Sequence, residues 1–357
     1  MAGFQFYPRL NALRALSVLA VLFHHFFNYK ITRYILIGNA GVECFFVISG
    51  FLITEILLIN KDSEKTRGHI LGNFYIRRSL RIFPVYYLYL LITAVLFFEV
   101  VKTALPWAVG YAYNFYEQSH ESPLIYAHLW SLSIEEQFYL MWPFLVLFIP
   151  NNRLGWLIIG AIGVAIGCRF LIPGLNHKLF TFSCMDAFGA GGGLAYLKRY
   201  KPELFSRWLK RSWIALIGVF LFVLLVWFQV NNIHWLDNLF RSAVALVAFY
   251  LVGACVIPGR ILPAWLMRLF DLKWLQFIGT ISYGVYIYHF LIGVLLDPVL
   301  NDSMLRFGFN EKPVLKYIYF NSYLIKFPLY TLLTIVVAWL SFKFFEKPLL
   351  ALKARFS

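Results

Sequence analysis

The sequence predicts an all-α membrane protein that crosses the bilayer about ten times and has both termini in the cytoplasm. Of its 357 residues, 61% are hydrophobic and 14% are charged, and the mean hydropathy is +0.70. A soluble fold cannot cover so apolar a chain with polar surface. The apolar residues also fall into long runs separated by short basic segments, which is the pattern of a polytopic membrane protein.

Ten apolar runs are near or above the roughly 17–25 residues that a bilayer-spanning helix needs. The predicted spans are approximately 9–28, 36–59, 82–103, 133–150, 155–172, 179–197, 213–230, 239–257, 274–296 and 327–346. Four glycines between positions 189 and 193 weaken the sixth span. No linker, low-complexity tract or internal repeat divides the chain, so we expect a single membrane domain over residues 1–357.

The basic residues predict the orientation of the spans. Segments 60–81 and 198–212 carry six Lys and Arg each, whereas segment 104–132 carries none. Summed over alternate loops, Lys and Arg number 20 on the side of the N-terminus and 7 on the other. The positive-inside rule then places both termini in the cytoplasm. It also explains the net charge of +15 by loops that face anionic lipid, so we do not expect nucleic-acid binding.

The cysteines and the N-terminus indicate neither secretion nor a metal site. Four cysteines are scattered through apolar runs without CxxC spacing: Cys44, Cys168, Cys184 and Cys255. We therefore predict neither a disulfide framework nor a bound metal. The first apolar run has no convincing small-residue cleavage site after it, so we interpret it as a retained signal-anchor helix.

Arg14 and His25 enclose the most informative stretch, RALSVLAVLFHH. Eleven helical steps make about three turns, so both side chains share one stripe about 16 Å apart, and His24 lies about 80° away from it. The predicted topology places Arg14 in the inner half of the membrane and His25 near its outer boundary. Alternatively, Arg14 extends to the interface and the histidines are ordinary core polar residues.

Further polar residues separate by depth in the same topology. Glu43, Glu135 and His289 are expected in the outer half, whereas Arg77, Arg78 and Arg81 are expected at the inner face. Buried ionisable groups are costly in a membrane and usually functional. The alternatives are purely structural: the arginines only anchor the topology, and Glu43 only caps its helix.

Six motifs, in this order, resemble the acyltransferase type 3 family of integral-membrane O-acyltransferases. They are LRALSVLAVLFHH (13–25), GVECFFVISGFLIT (41–54), FYIRRSLRIFPVYY (74–87), WSLSIEEQFYLMWP (130–143), ISYGVYIYHF (281–290) and FEKP (345–348). The resemblance implies a ten-helix enzyme of the bacterial inner membrane. Such an enzyme transfers an acyl group, usually acetyl from acetyl-CoA, to a glycan or a related acceptor of the cell envelope.

The resemblance also implies roles for individual residues. The family's Arg and His signature corresponds to Arg14 and His25, its paired arginines to Arg78 and Arg81, its glutamate to Glu135, and its late Ser-Tyr pair to Ser282 and Tyr283. Glu43 stands where relatives commonly carry Asp. Many relatives continue into a periplasmic esterase-like domain, which we do not expect here.

The chemistry of acyl transfer assigns these residues to two groups. The imidazole of His25 is suited to remove a hydroxyl proton near neutral pH. Glu135 or Glu43 is expected to orient this imidazole. Arg14, Tyr283 or Ser282 is expected to stabilise the developing oxyanion, with no order among them. Arg77, Arg78 and Arg81 are expected to bind the phosphates of the acyl-CoA donor, with Ser282 and Tyr283 at the same site. No GxxxxGK[ST] motif is present, so nucleotide hydrolysis is not predicted.

The sequence leaves alternatives open for the identity of the acceptor and for the class of function. The leading acceptor is a sugar hydroxyl of O-antigen lipopolysaccharide, exopolysaccharide or another lipid-linked glycan, followed by a small secreted glycoside or macrolide. A secondary transporter of a polar solute would also need intramembrane charges, although related halves are not visible in the sequence. A non-catalytic scaffold is disfavoured because its buried charges would be costly without a function.

Overall fold

The computed structural model describes residues 6–27, 32, 37–172, 176–211, 220, 234–257, 261–306 and 323–353. Every regular element within these ranges is helical, which confirms the predicted all-α class. The first helices are α1 (Pro8–Phe26), α2 (Ile37–Lys61), α3 (Arg67–Val101), α4 (Leu105–Val109), α5 (Tyr113–Ser119), α6 (Leu129–Phe148) and α7 (Leu154–Leu171).

The second half of the chain continues the helical pattern. Its helices are α8 (Met185–Tyr200), α9 (Pro202–Arg211), α10 (His234–Val256), α11 (Ala264–Phe270), α12 (Lys273–Thr280), α13 (Ser282–Arg306), α14 (Tyr323–Ser341) and α15 (Lys347–Ala351). Short 3₁₀ turns at Leu124–Tyr126, His177–Leu179 and Thr181–Cys184 and a π turn at Phe342–Glu346 complete the described elements.

Five helical segments of the described chain are long and apolar enough to cross a membrane. They are Ile37–Lys61, Arg67–Val101, Leu154–Leu171, Ser282–Ser303 and Tyr323–Ala351. The chain is therefore a multi-pass membrane protein. Helices overlap nine of the ten predicted spans, and the seventh, 213–230, lies outside the described residues apart from residue 220. The number ten and the orientation of the termini stay predictions.

Helix α3 begins 15 residues before the predicted third span. Thr66 caps it, with its hydroxyl oxygen accepting a hydrogen bond from the backbone N–H of His69 at 3.4 Å. The basic stretch that precedes residue 82 is therefore helical. Charge density indicates which side of a membrane a segment faces, but arginine and leucine are also good helix formers, so it does not mark where the helix starts.

The predicted ninth span is divided at Ile281 into α12 and α13. Gly279 lies so close to α1 that a Cβ atom there would be 1.7 Å from the carbonyl oxygen of Asn11. The short helix α12 thus packs directly on the backbone of α1. Ser282 begins α13 immediately after this contact, which brings the start of α13 beside α1.

Helix α2 occupies the centre of the bundle, between α1, α6 and α8. Phe188 stacks on Phe46 at 4.6 Å and on Phe138 at 4.0 Å between ring centroids. The indole N–H of Trp142 donates a hydrogen bond to the Thr54 hydroxyl at 2.8 Å. These contacts join α6 and α8 to α2, and they fix the faces of α2 and α6 that form the candidate site.

Glycines bring the backbones of α2 and α8 into contact. A Cβ atom at Gly191 would lie 2.0 Å from the Val47 carbonyl oxygen, and one at Gly50 would lie 2.2 Å from the Phe188 carbonyl oxygen. The glycines that weaken the sixth span on hydropathy are therefore packing residues. Small residues at a helix interface allow this close approach within a membrane.

We expect Gly191→Ala to destabilise the protein by about 1–3 kcal/mol or more, because the added methyl group displaces α2. Gly163→Ala is the matched control, since nothing lies within 4 Å of a Cβ atom at that position. Thermal unfolding of the detergent-solubilised variants measures the difference. Equal unfolding temperatures for the two variants would contradict the packing role.

Candidate active site

A cavity of about 70 Å³ lies between α1, α2, α3, α6 and α13. Its polar lining residues are Arg14, Ser49, Arg78, Arg81, Ser131, Glu135, Ser282, Tyr283 and Tyr286. Six of these are residues that the sequence analysis singled out. The cavity thus brings together side chains from both ends of the chain.

Three guanidinium groups meet at this cavity, and none of them has a carboxylate of the described residues within ion-pair distance. The Arg14 guanidinium donates to the side-chain oxygen of Asn11 at 3.3 Å, and the Arg78 guanidinium lies 3.8 Å from the ring centroid of Tyr139. The Nε atom of Arg78 is buried and has no hydrogen-bond partner among the described residues. No ion pair in the described part of the chain involves Arg14, Arg78 or Arg81. This concentration of unpaired positive charge favours an anionic ligand.

Glu135 faces the same cavity from α6. Its carboxylate accepts a hydrogen bond from the Ser49 hydroxyl at 2.8 Å, and Ser49 in turn accepts one from the Tyr139 hydroxyl at 3.0 Å. The structure therefore places Glu135 with the arginines. The expected pairing of this carboxylate with His25 is not among the described contacts.

Lys353, just beyond the last helix, lies in the electrostatic field of the arginines. Burial, together with the charges of Arg81, Arg78 and Arg77, lowers its pKa to about 7. A lysine loses affinity for its proton in this way when other cations crowd it without compensation. The arginine end of the site is thus rich in positive charge outside the cavity as well.

His25 lies in a second cluster, composed of imidazoles. Its ring centroid is 5.0 Å from that of His24, 5.2 Å from that of His289 and 4.6 Å from that of Phe290. His289 in turn lies 5.0 Å from His128. Among these rings His25 has the most exposed side chain, whereas His128 and His289 are buried.

The backbone fixes the tautomer of His289. Its Nδ1 atom lies 2.5 Å from the carbonyl oxygen of Tyr286, and a carbonyl only accepts, so Nδ1 carries the proton. In the neutral ring Nε2 is then an acceptor, and it has no hydrogen-bond partner among the described residues. No group of three or more His, Cys, Asp or Glu within the described ranges has the geometry of a metal site. The unpartnered Nε2 acceptor of His289 makes the imidazole cluster suited to proton handling.

Tyr286 connects the cavity with the imidazole cluster. Tyr286 lines the cavity, and its hydroxyl lies 2.6 Å from the Ser131 hydroxyl and 3.2 Å from the carbonyl oxygen of His128. Its own carbonyl holds His289. Because Arg14 and His25 lie on α1, and Tyr286 and His289 lie on the adjacent α13, the two clusters are neighbours along one helix pair.

Two of the singled-out residues, Glu43 and Arg77, lie outside the cavity lining, and the hydroxyl of a third, Tyr283, is already hydrogen-bonded. Glu43 is buried and accepts a hydrogen bond from the Nε atom of Arg241 at 2.6 Å, and the two form an ion pair away from the cavity lining. Arg77 is exposed and does not line the cavity. The Tyr283 hydroxyl donates to the carbonyl oxygen of Ile82 at 3.1 Å, so it is already engaged.

Several residues of the two clusters were not proposed from sequence. Ser49, Ser131, Tyr286 and His128 lie in or just beside the quoted motifs, but serine, tyrosine and single histidines are common in apolar runs. Tyr286 had the strongest available signal. It precedes His289 by three residues and therefore shares its helix face.

Comparisons with known proteins address the family. The model of an acyltransferase domain, type 3, matches residues 7–343. Peptidoglycan O-acetyltransferase OatA of Listeria monocytogenes is 30% identical over 374 aligned residues, which cover 97% of this chain and 56% of the relative. O-acetyltransferase OatA of Staphylococcus aureus is 26% identical over 378 residues, which cover 97% of this chain and 57% of the relative. The chain thus spans a little over half the length of these relatives, and no solved structure matches it.

Proposed function

Because the chain belongs to the acyltransferase type 3 family, we propose that it is a membrane O-acetyltransferase that uses an acyl-CoA donor and a glycan acceptor. The observation that carries this proposal is the contact between an arginine-lined cavity and an imidazole cluster through Tyr286. One cluster is suited to an anionic donor and the other to proton removal. A transferase needs both within reach of one reacting carbonyl.

The donor approaches from the arginine end. A cavity of about 70 Å³ is far smaller than the roughly 300–1,000 Å³ of pockets that hold a drug-sized ligand, so only the narrow thioester end enters it. Arg78 and Arg81 then lie where they can meet the phosphates or the pantetheine carbonyls near the entrance. Arg77, which is exposed on the same helix, extends the positive surface toward the nucleotide.

The acceptor meets the donor at His25. The acceptor hydroxyl oxygen attacks the thioester carbonyl carbon, His25 removes the hydroxyl proton, the C–S bond breaks, and the proton returns to the sulfur, so the products are an ester and free CoA thiol. Arg14 is the stronger candidate for oxyanion stabilisation, because the Tyr283 hydroxyl is already donated to a backbone carbonyl.

The acceptor we propose is an envelope glycan. The Listeria relative is named for peptidoglycan, which differs from the O-antigen and exopolysaccharide expected from sequence. All three are hydroxyl-rich polymers of the cell envelope. Peptidoglycan is therefore the first acceptor to test, with lipid-linked saccharides second.

The transfer is proposed to be vectorial across the bacterial inner membrane. The loop charges predict that α3 starts on the cytoplasmic side and that His25 lies about three helical turns above Arg14, toward the outer face. Acetyl-CoA would then stay in the cytoplasm while its acetyl group reaches an acceptor on the periplasmic side.

Sealed inverted membrane vesicles test this function. Acetyl-labelled acetyl-CoA is added outside, at the former cytoplasmic face, and a peptidoglycan or saccharide acceptor is enclosed in the lumen. We expect labelled ester in the lumen, and about 10²–10⁴-fold less of it with His25→Ala vesicles. Labelling only of acceptor on the donor's side would contradict vectorial transfer, and label that enters chemically unchanged would indicate a transporter.

A further inference from the structure

A lysine and a half-buried carboxylate lie beside the imidazole cluster, outside the arginine cavity. The Nζ atom of Lys178 is 3.9 Å from Oε1 of Glu117 and 5.8 Å from the ring centroid of Trp130. Its charge also acts on both His24 and His25. Lys178 is therefore a cation whose charge reaches the candidate base, and its side chain is 45% exposed.

Hydrogen bonds hold the two segments that carry this pair. The side-chain amide of Asn114, on α5, donates to the Leu179 carbonyl oxygen at 2.9 Å. Gln137 donates to Asn114 at 2.9 Å and accepts from the Thr181 hydroxyl. The turn His177–Leu179 is thereby fastened to α5 and α6, so Lys178 has a defined position rather than that of a loose surface chain.

Glu117 is a carboxylate whose burial costs desolvation free energy. Its side chain is only 14% exposed, and burial raises its pKa to about 7, although the charge of Lys178 opposes this. Its Oε2 atom has no hydrogen-bond partner among the described residues. Buried, incompletely paired titratable groups of this kind are found most often at functional sites.

The pair leaves Lys178 able to bind a ligand. A separation of 3.9 Å is longer than a charge-assisted hydrogen bond, so Glu117 does not saturate the donors of Lys178. A cation beside His25 disfavours the imidazolium ion that forms during proton removal. An anion brought by the acceptor would cancel this effect at the moment it is needed.

We propose that Lys178 and Glu117 form an acceptor subsite that recognises an anionic group close to the accepting hydroxyl. Lys178 binds the anion, and the free oxygen of Glu117 accepts a hydrogen bond from a neighbouring sugar hydroxyl. The inference rests on the proposed function and specifies its substrate class, a glycan that carries a carboxylate or a phosphate.

Equilibrium binding to the full detergent-solubilised chain tests the subsite independently of transfer. The probes are hyaluronan tetrasaccharide, which carries carboxylates, against uncharged chitotetraose, and N-acetylglucosamine 1-phosphate against N-acetylglucosamine. We expect the wild type to favour the carboxylate or the phosphate probe over its neutral match by roughly 10-fold or more. The arm with the larger ratio identifies the anion.

Lys178→Gln should abolish this preference, whereas Lys178→Arg should retain part of it. Lys102→Gln is the matched control, because Lys102 forms an exposed pair with Glu99 on α3. Equal binding of charged and neutral probes by the wild type, or an unchanged preference in Lys178→Gln, would overturn the subsite. An intact preference without acetyl transfer in the vesicle experiment would instead overturn the proposed function.

Discussion

Replacing His25 with alanine is expected to reduce acetyl transfer by about 10²–10⁴-fold, the usual contribution of a general base. His25 is the exposed ring of the imidazole cluster, and it packs on His289 and Phe290 of α13. Its removal leaves the arginine cavity intact, because no histidine lines that cavity. The turnover number should therefore fall while the Michaelis constant for acetyl-CoA changes little.

His24→Ala is the matched control one residue away. The His24 ring packs against α2, where a Cβ atom at Gly38 would lie 2.7 Å from it. Its replacement loses packing but should retain most of the transfer activity. Rates are measured at equal protein abundance in the membrane. Equal losses of activity in the two variants would show that the cluster acts through packing. His25 would then not be the general base.

The placement of Arg14 and His25 on one face of α1 could be predicted because it depends on one helix alone. Arg14 and His25 are eleven residues apart, and α1 runs without interruption from Pro8 to Phe26, so the three-turn spacing holds. The family motifs likewise predicted six residues that line one cavity. These are the parts of the site for which local periodicity and motif order carry enough information.

The partners of each residue could not be predicted in the same way. His25 and His289 are 264 positions apart, and their contact depends on how α12 and α13 divide at Ile281 beside α1. Depth alone predicted that Glu135 would lie near His25. In the structure Glu135 instead accepts a hydrogen bond from Ser49 on α2, because α2 packs on α6.

Glu43 illustrates the same limit. The sequence offers a carboxylate at the expected outer end of α2, where it can support an imidazole. The structure gives it Arg241 of α10, almost 200 residues later, as an ion-pair partner. A buried carboxylate requires a cation or several hydrogen bonds, but sequence does not indicate which cation will be adjacent.

Arg78→Gln is expected to raise the Michaelis constant for acetyl-CoA by roughly 10- to 100-fold. A hydrogen bond to a charged group contributes about 1.5–3 kcal/mol, and Arg78 lines the cavity with an unpartnered Nε atom. The constant for the acceptor should change much less, since Lys178 and His25 lie in the other cluster. Steady-state kinetics in reconstituted vesicles, with each substrate varied in turn, measure both constants.

Arg77→Gln is the control on the preceding residue of α3. Arg77 is exposed and outside the cavity lining, so its loss should cost at most about 1 kcal/mol, or roughly 5-fold. If both variants raised the constant equally, the cavity would not be the donor site, and the arginines would attract CoA only as a diffuse positive surface.

Arg78→Lys separates charge from geometry. The guanidinium carbon of Arg78 lies 3.8 Å from the centroid of the Tyr139 ring, and an aromatic face is a better platform for a planar guanidinium than for an ammonium group. If phosphate or carbonyl oxygens of the donor bind this guanidinium in bidentate geometry, lysine should restore only part of the affinity lost in Arg78→Gln. Full restoration by lysine would mean that a point charge suffices, and the donor would then be held by field strength rather than by orientation.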